Sequence, residues 1–195
     1  MEVEAPAGNK KNARRRRAWI LFQDESGVSE RPPVRRTWAP KAETPVLTYA
    51  YNWKKLSISA ALGYRWDGKL CRLWFQTRPD SYNDKHPIAF ARDLKKHMRG
   101  QKAIPIWDGL PAHKSRKMKQ YLESRHSWLQ VETLPSYSPD LNPVEDLWGN
   151  IKGQELANRC VAGLGEAEEG VSSGMARVRQ STLPFSFLHH AGLFF

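Results

Sequence analysis

Cysteine is scarce in this chain: 195 residues hold two, Cys71 and Cys160, in unrelated contexts. Two such residues build neither a disulfide framework nor a metal cluster, and they point to a reducing compartment. His86, His97, His126, His189 and His190 show no metal-ligand spacing. No apolar run approaches the roughly 20 residues that span a bilayer. The basic N-terminus is followed only by Ala18–Phe22 before Gln23 and Asp24, which is too short for a signal peptide. The expectation is a soluble, cytoplasmic protein with no membrane partner. Internal repeats are also missing, which excludes solenoids and propellers. Negative charge is in deficit: 31 Lys and Arg face 20 Asp and Glu, a formal net charge of +11. A polyanionic partner follows from that balance.

What is present is enough for a folded domain. Apolar residues make up 40% of the chain, with eight tryptophans, and the length suits one substantial domain with tails. Residues 1–17 end in a block of positive charge (Lys10, Lys11, Arg14, Arg15, Arg16, Arg17) and read as a disordered basic arm suited to phosphate contacts. Residues 18–160 read as the domain. Ala18–Phe22 suits a buried strand, with Asp24 and Glu25 at its C-terminal end. An extended loop over Arg31–Lys41 follows, holding Trp38, which either stacks on a base or covers a core edge. Strands near Leu56–Tyr64 and Lys69–Thr77 flank a hairpin turn at Trp66–Lys69. Ser81–Met98 has the spacing of a helix, closed by Gly100. Ala103–Trp107 is a strand with Asp108 at its end, and Pro105 requires the strand's start or a bulge there. A basic helix over His113–Arg125 and a short strand over Trp128–Leu134 complete the alternation. Residues 161–174 read as a weak helix or linker within a C-terminal extension, 161–195, that packs back on the domain.

Three opening strands joined by short turns predict an antiparallel meander, and the later strand–helix alternation predicts two parallel additions to the same sheet. The predicted class is α/β, a mixed sheet flanked by helices. Ligands in such sheets gather at the carboxyl ends of strands. Asp24 and Asp108 each end a strand there.

Leu134–Lys152 supplies the third carboxylate. Asn142 can cap a helix that starts at Pro143, and Val144, Leu147, Trp148 and Ile151 form its buried stripe. Glu145 lies at the border of that stripe, and Lys152 follows two turns on, on the same side. Asn142 with Glu145 three residues later is also the pattern of a capping box. Three close carboxylates repel, and hard divalent cations remove that penalty. Two such ions support phosphodiester chemistry.

The segments FQDESG, IWDGLPAHKS and LPSYSPDLNPVEDLWGNIK, in this order, resemble the three blocks of DDE transposases of the mariner-like bacterial insertion-sequence group. The spacing between the last two blocks suits that group, with 145 − 108 = 37 positions from Asp108 to Glu145. The resemblance implies a ribonuclease-H-like fold and DNA cleavage with strand transfer. It implies Asp24, Asp108 and Glu145 as catalytic ligands of two Mg²⁺ or Mn²⁺ ions. His113, Lys114, Arg116, Lys117, Lys152 and Arg14–Arg17 are the candidate contacts to DNA, both element ends and target. Glu25 either assists the metals or, the favoured reading, is a solvated neighbour of Asp24. A nuclease without strand transfer, and a truncated DNA-binding remnant, are the alternatives.

Two departures from the pattern stand out. Gly109 occupies the place after the second aspartate where family members often carry asparagine. Only a short basic arm precedes the first block, where such transposases usually carry helix-turn-helix modules. The resemblance therefore implies an upstream helix-turn-helix segment in cis or in trans, a homodimer, and a nucleoid-associated bacterial setting.

Overall fold

The computed structural model describes residues 7–49, 54–79, 83, 85–135 and 139–193. The elements are, in chain order, α1 (Ala7–Arg16), β1 (Ala18–Ser29), β2 (Lys55–Tyr64), β3 (Cys71–Arg78), α2 (Lys85–Met98), β4 (Lys102–Trp107), α3 (Arg116–Glu123), β5 (Glu132–Thr133), α4 (Pro143–Gln154), α5 (Leu164–Arg179) and α6 (Leu183–His190). The five strands form one sheet in the order β3-β2-β1-β4-β5. The first three pair antiparallel, and β4 and β5 lie parallel to β1, as the meander-then-crossover reading predicts.

Strand alternation sends neighbouring residues to opposite faces and so builds two cores. Ile20, Phe22, Ile104 and Ile106 face a layer that includes Val144 and Leu147 of α4 and Val171 and Met175 of α5. Trp19, Leu21 and Ala103 face Phe90, Leu94 and Met98 of α2. Trp19 packs edge-on against Trp74, with ring centroids 5.4 Å apart, and its Nε1–H donates to Gln101 Oε1 at 2.8 Å. α2 stops at Met98, and Gly100 takes φ +85°, a left-handed turn that suits glycine. Its expected start at Ser81 lies outside the described residues. Among the described residues, no helix is long and apolar enough to cross a membrane.

The structure corrects several expectations. The described part of the basic arm is helix, not disorder: α1 packs on β1 and β4 through Ala13, which is fully buried. Asn12 Nδ2–H donates to Gln130 Oε1, and the Arg16 guanidinium donates to the carbonyls of His126 and Ser127, each at 3.3 Å. Pro105 sits inside β4 rather than at its start or a bulge. Ala103 points both its backbone groups at residues 128–130, so Pro105, two residues on, turns its nitrogen the same way. The ladder on that side is interrupted between the Ala103↔Leu129 bridge and the Ile106↔Glu132 pair, so no hydrogen bond to β1 is lost. The basic helix α3 starts only at Arg116, capped by Ser115 Oγ, which accepts from Met118 N–H at 3.2 Å.

The segment read as a weak helix or linker is the 16-residue α5. Ala167, Gly170, Val171, Gly174, Met175 and Val178 form its buried side. Arg177 pairs with Glu155 at 2.7 Å. α6 is tied to α4 by His190 Nδ1 and Asp146 Oδ2 at 2.7 Å.

Candidate active site

β1 is a 12-residue strand, and Asp24 lies in its middle, not at its end. The apolar run stops at Phe22, yet β2 continues to pair with β1 as far as Ser29. What ends near Asp24 is the parallel ladder to β4, whose last pair is Phe22↔Ile106. Asp24 lies two residues beyond that pair on β1, and Asp108 stands just past the end of β4. Asp24 shares the face of Ile20 and Phe22, which is the face α4 covers.

α4 is placed as its sequence predicts. Asn142 Oδ1 accepts from Val144 N–H at 3.2 Å, Pro143 occupies the first turn, and Val144, Leu147, Trp148 and Ile151 are buried. Trp148 Nε1–H donates to Asp24 Oδ2 at 2.8 Å. Glu145 is exposed in the first turn, and its backbone N–H donates to Asn142 O at 3.0 Å. Burial pushes the Asp24 carboxyl up to about 7, against the Trp148 hydrogen bond and with the help of repulsion from Glu145 and Glu25. Asp24 and Glu145 thus sense one another across the sheet–helix interface.

On the opposite face lies a cluster that sequence reading missed. Glu25 is not solvated: its side chain is 7% exposed. Its Oε1 accepts from Gln23 Nε2–H at 3.1 Å and from His113 Nε2–H at 3.3 Å. His113 lies in the turn before α3 and is equally buried. Its ring stacks on Trp107, with centroids 4.4 Å apart and planes at 16°. Its Nδ1 makes a hydrogen bond with the Asp108 backbone carbonyl at 3.4 Å and stands 3.2 Å from Asp108 Oδ1. Burial works to lower the imidazole pKa, but the Glu25 hydrogen bond and charge, joined by Asp108, hold it above its ordinary value. Ligand atoms of Glu25, Asp108 and His113 all lie within 4.8 Å of one another. Strand alternation could have signalled that Asp24 and Glu25 face apart; nothing local could have paired Glu25 with a residue 88 positions away.

The basic candidates scatter. Lys114, Arg116 and Lys117 are exposed on the α3 side. The Lys114 ammonium lies 3.0 Å from where a Cβ on Gly109 would stand, so glycine next to Asp108 leaves that space to the lysine. Lys152 lines a recess of about 250 Å³ with Val28, Arg31 and Pro33. Arg14, Arg15 and Arg17 are exposed before the start of β1, six strand residues and about 20 Å from Asp24. Trp38 covers no core edge: it is 99% exposed on the loop after β1. An open cleft of about 660 Å³ adjoins Glu25, between Ser26, Gly27 and Ser57 on the sheet and Leu110–Ala112.

The sequence model of the DDE superfamily endonuclease family matches residues 19–164. The chain belongs to the DDE superfamily of endonucleases. The match spans both aspartates, the capped helix of Glu145 and the Glu25–His113 cluster of this DDE domain. No curated protein sequence matches it. Among solved structures it is similar to the Mos1 transposase paired-end complex with left transposon end, at TM-score 0.60 and 17% identity, covering 94% of this chain and 58% of that one. It is also similar to the Mos1 mariner paired-end complex with Mn (0.57, 16%, 94% and 58%). The catalytic domain of Mos1 mariner transposase gives 0.54 and 16%, covering 96% and 90%. At these identities the likeness is one of fold, and the fold is ribonuclease-H-like. The DDE chain spans about 58% of the length of the paired-end transposase chain.

Proposed function

We propose that this chain is a transposase catalytic domain that cleaves DNA at element ends and joins the freed 3′-hydroxyl to target DNA. Asp24, Asp108 and Glu145 hold two divalent cations, Mg²⁺ or Mn²⁺. The observation that supports this reading is that Asp24 is buried against α4, whose first turn bears Glu145, while Asp108 follows the neighbouring strand β4 with its carboxylate turned towards Glu25 and His113. The donor set fits: all three groups offer hard oxygen atoms, and the penalty on a buried Asp24 carboxylate is one that a cation removes. Bound there, such ions activate the attacking hydroxyl and stabilise the leaving oxygen of a phosphodiester. The structural neighbours include Mos1 complexes with Mn and with Mg and a Mos1 strand transfer complex.

The remaining roles belong to the chain's own residues. Trp148 fixes one oxygen of Asp24, and the Asn142 cap fixes the start of the helix carrying Glu145. Lys114, Arg116 and Lys117 line the α3 side as phosphate contacts, and Lys152 serves the α4 side. End recognition comes from a helix-turn-helix segment in cis or in trans, within a homodimer acting on nucleoid DNA in a bacterial cytoplasm.

The test is a joining assay: a duplex pre-cut to expose the end 3′-hydroxyl, a target plasmid, Mn²⁺, and a helix-turn-helix segment supplied. Joined product supports the proposal. Hydrolysis without joining would favour the nuclease alternative, and intact metal binding with neither activity would favour the remnant.

Trp38, flanked by Arg35 and Arg36, is a stacking platform for a base exposed beside the cut. Base–aromatic stacking is worth about 1–3 kcal/mol per base. Trp38→Ala is accordingly expected to weaken binding of a single-stranded oligonucleotide in an anisotropy titration by about 5- to 150-fold. Equal affinity of variant and wild type would take Trp38 off the DNA surface.

A further inference from the structure

Asp108 stands just past the end of β4, beyond the last pair of the parallel ladder, so the sheet's hydrogen bonds do not fix its side chain. That carboxylate is 41% exposed. Among the described residues two groups meet Asp108: Leu110 N–H donates to Oδ1 at 3.1 Å, and His113 Nδ1 lies 3.2 Å from Oδ1 and makes its hydrogen bond with the Asp108 backbone carbonyl at 3.4 Å. The first is a local turn. The second reaches back to β1, because His113 Nε2–H donates to Glu25 Oε1 at 3.3 Å.

Every link in this chain of contacts is itself held. Trp107 stacks on the imidazole, the His113 backbone N–H donates to Leu110 O at 3.0 Å, and Gln23 donates to Glu25. Glu25 pairs with Ser59 in the β1–β2 ladder and directly follows Asp24.

We propose that Glu25 and His113 are positioning residues: together they tie the Asp108 carboxylate to the strand that carries Asp24, and so set the spacing of the two aspartates. The inference rests on the reading of both aspartates as metal ligands. Neither Glu25 nor His113 is a ligand in it. Partners that orient ligating groups typically matter about 10- to 100-fold in metal affinity.

The test is Mn²⁺ binding by the full chain at one fixed pH, read from the electron paramagnetic resonance signal of free Mn²⁺, beside a thermal melt. His113→Phe keeps the stack on Trp107 and removes both polar contacts. Glu25→Gln keeps an acceptor for His113 and removes the charge. The expected result is a loss of Mn²⁺ affinity of about 10- to 100-fold in His113→Phe, with a melting temperature near that of wild type. Glu25→Gln loses less, and the double variant is no worse than His113→Phe alone. Wild-type affinity in His113→Phe would overturn the inference. So would a loss as complete as that of Asp108→Asn, since that marks a ligand. Should His113→Phe fail to fold, Glu25→Gln decides by a smaller loss of Mn²⁺ affinity, and wild-type affinity in it would overturn the inference. A wild-type chain that takes up no Mn²⁺ would overturn the proposed function and this inference with it. Binding by wild type and equal binding by both variants would overturn the inference alone.

Discussion

Asp108→Asn is expected to abolish metal-dependent nicking of supercoiled DNA, a loss of at least about 10³-fold or about 4 kcal/mol of transition-state stabilisation. Asparagine keeps the volume of the side chain and an oxygen that can still accept from Leu110 N–H, so the turn after β4 survives. What disappears is the negative charge. A cation held by carboxylate oxygens loses one of its few anionic ligands, and an amide oxygen is a poor replacement. The variant should therefore melt within a few degrees of wild type while showing no cleavage, and excess chelator should give wild type the same phenotype. Nicking at the wild-type rate in Asp108→Asn would remove Asp108 from the active site and end the three-carboxylate reading.

Asp24→Asn should do the opposite to stability while also stopping cleavage. The Asp24 carboxyl has a folded pKa of about 7 against an ordinary value of 3.8. A group whose folded pKa is raised contributes its full stability below its unfolded pKa and loses it as pH climbs through the folded one. Between pH 4 and pH 7 the metal-free chain thus pays progressively for an ionised, buried carboxylate, by about 4 kcal/mol at pH 8. Asparagine removes that penalty and keeps an oxygen for Trp148 Nε1–H. In metal-free buffer at pH 8 the variant is expected to melt higher than wild type by up to about 10 °C. The gap should shrink towards pH 5, where the wild-type carboxyl is protonated. Millimolar Mg²⁺ should raise the wild-type melting temperature at pH 8 and leave the variant's nearly unchanged. A gap that is constant from pH 5 to pH 8 would show that the Asp24 charge is not what burial opposes.

Much of this was legible in the residues. The α4 helix follows from short-range chemistry: an asparagine cap, a proline in the first turn and four apolar residues at helical spacing. The strands of Leu56–Tyr64 and Ala103–Trp107 follow from apolar runs bounded by turn residues. Asp108 was correctly placed beyond its strand. Elsewhere, local signals misled. In α1 a single alanine, Ala13, carries the burial, and six basic residues at 10–17 mask it. β1 outlasts its apolar run because its pairing with β2 continues through Gln23–Ser29, where polar Gln23 and Asp24 are buried as well. α5 looked weak because of its glycines, yet Gly170 and Gly174 are what let it approach Leu156 and Glu155.

The sequence by itself determined the α4 helix, the positions of most strands and the chain's positive balance of charge, because caps, periodicity and composition act over a few residues. Only the tertiary structure decided that Trp148 donates to Asp24, and that Glu25 turns away to meet His113 beside Asp108. Those contacts depend on sheet register and on which face each helix covers. Both are set by pairings between residues tens of positions apart, for which no local pattern exists.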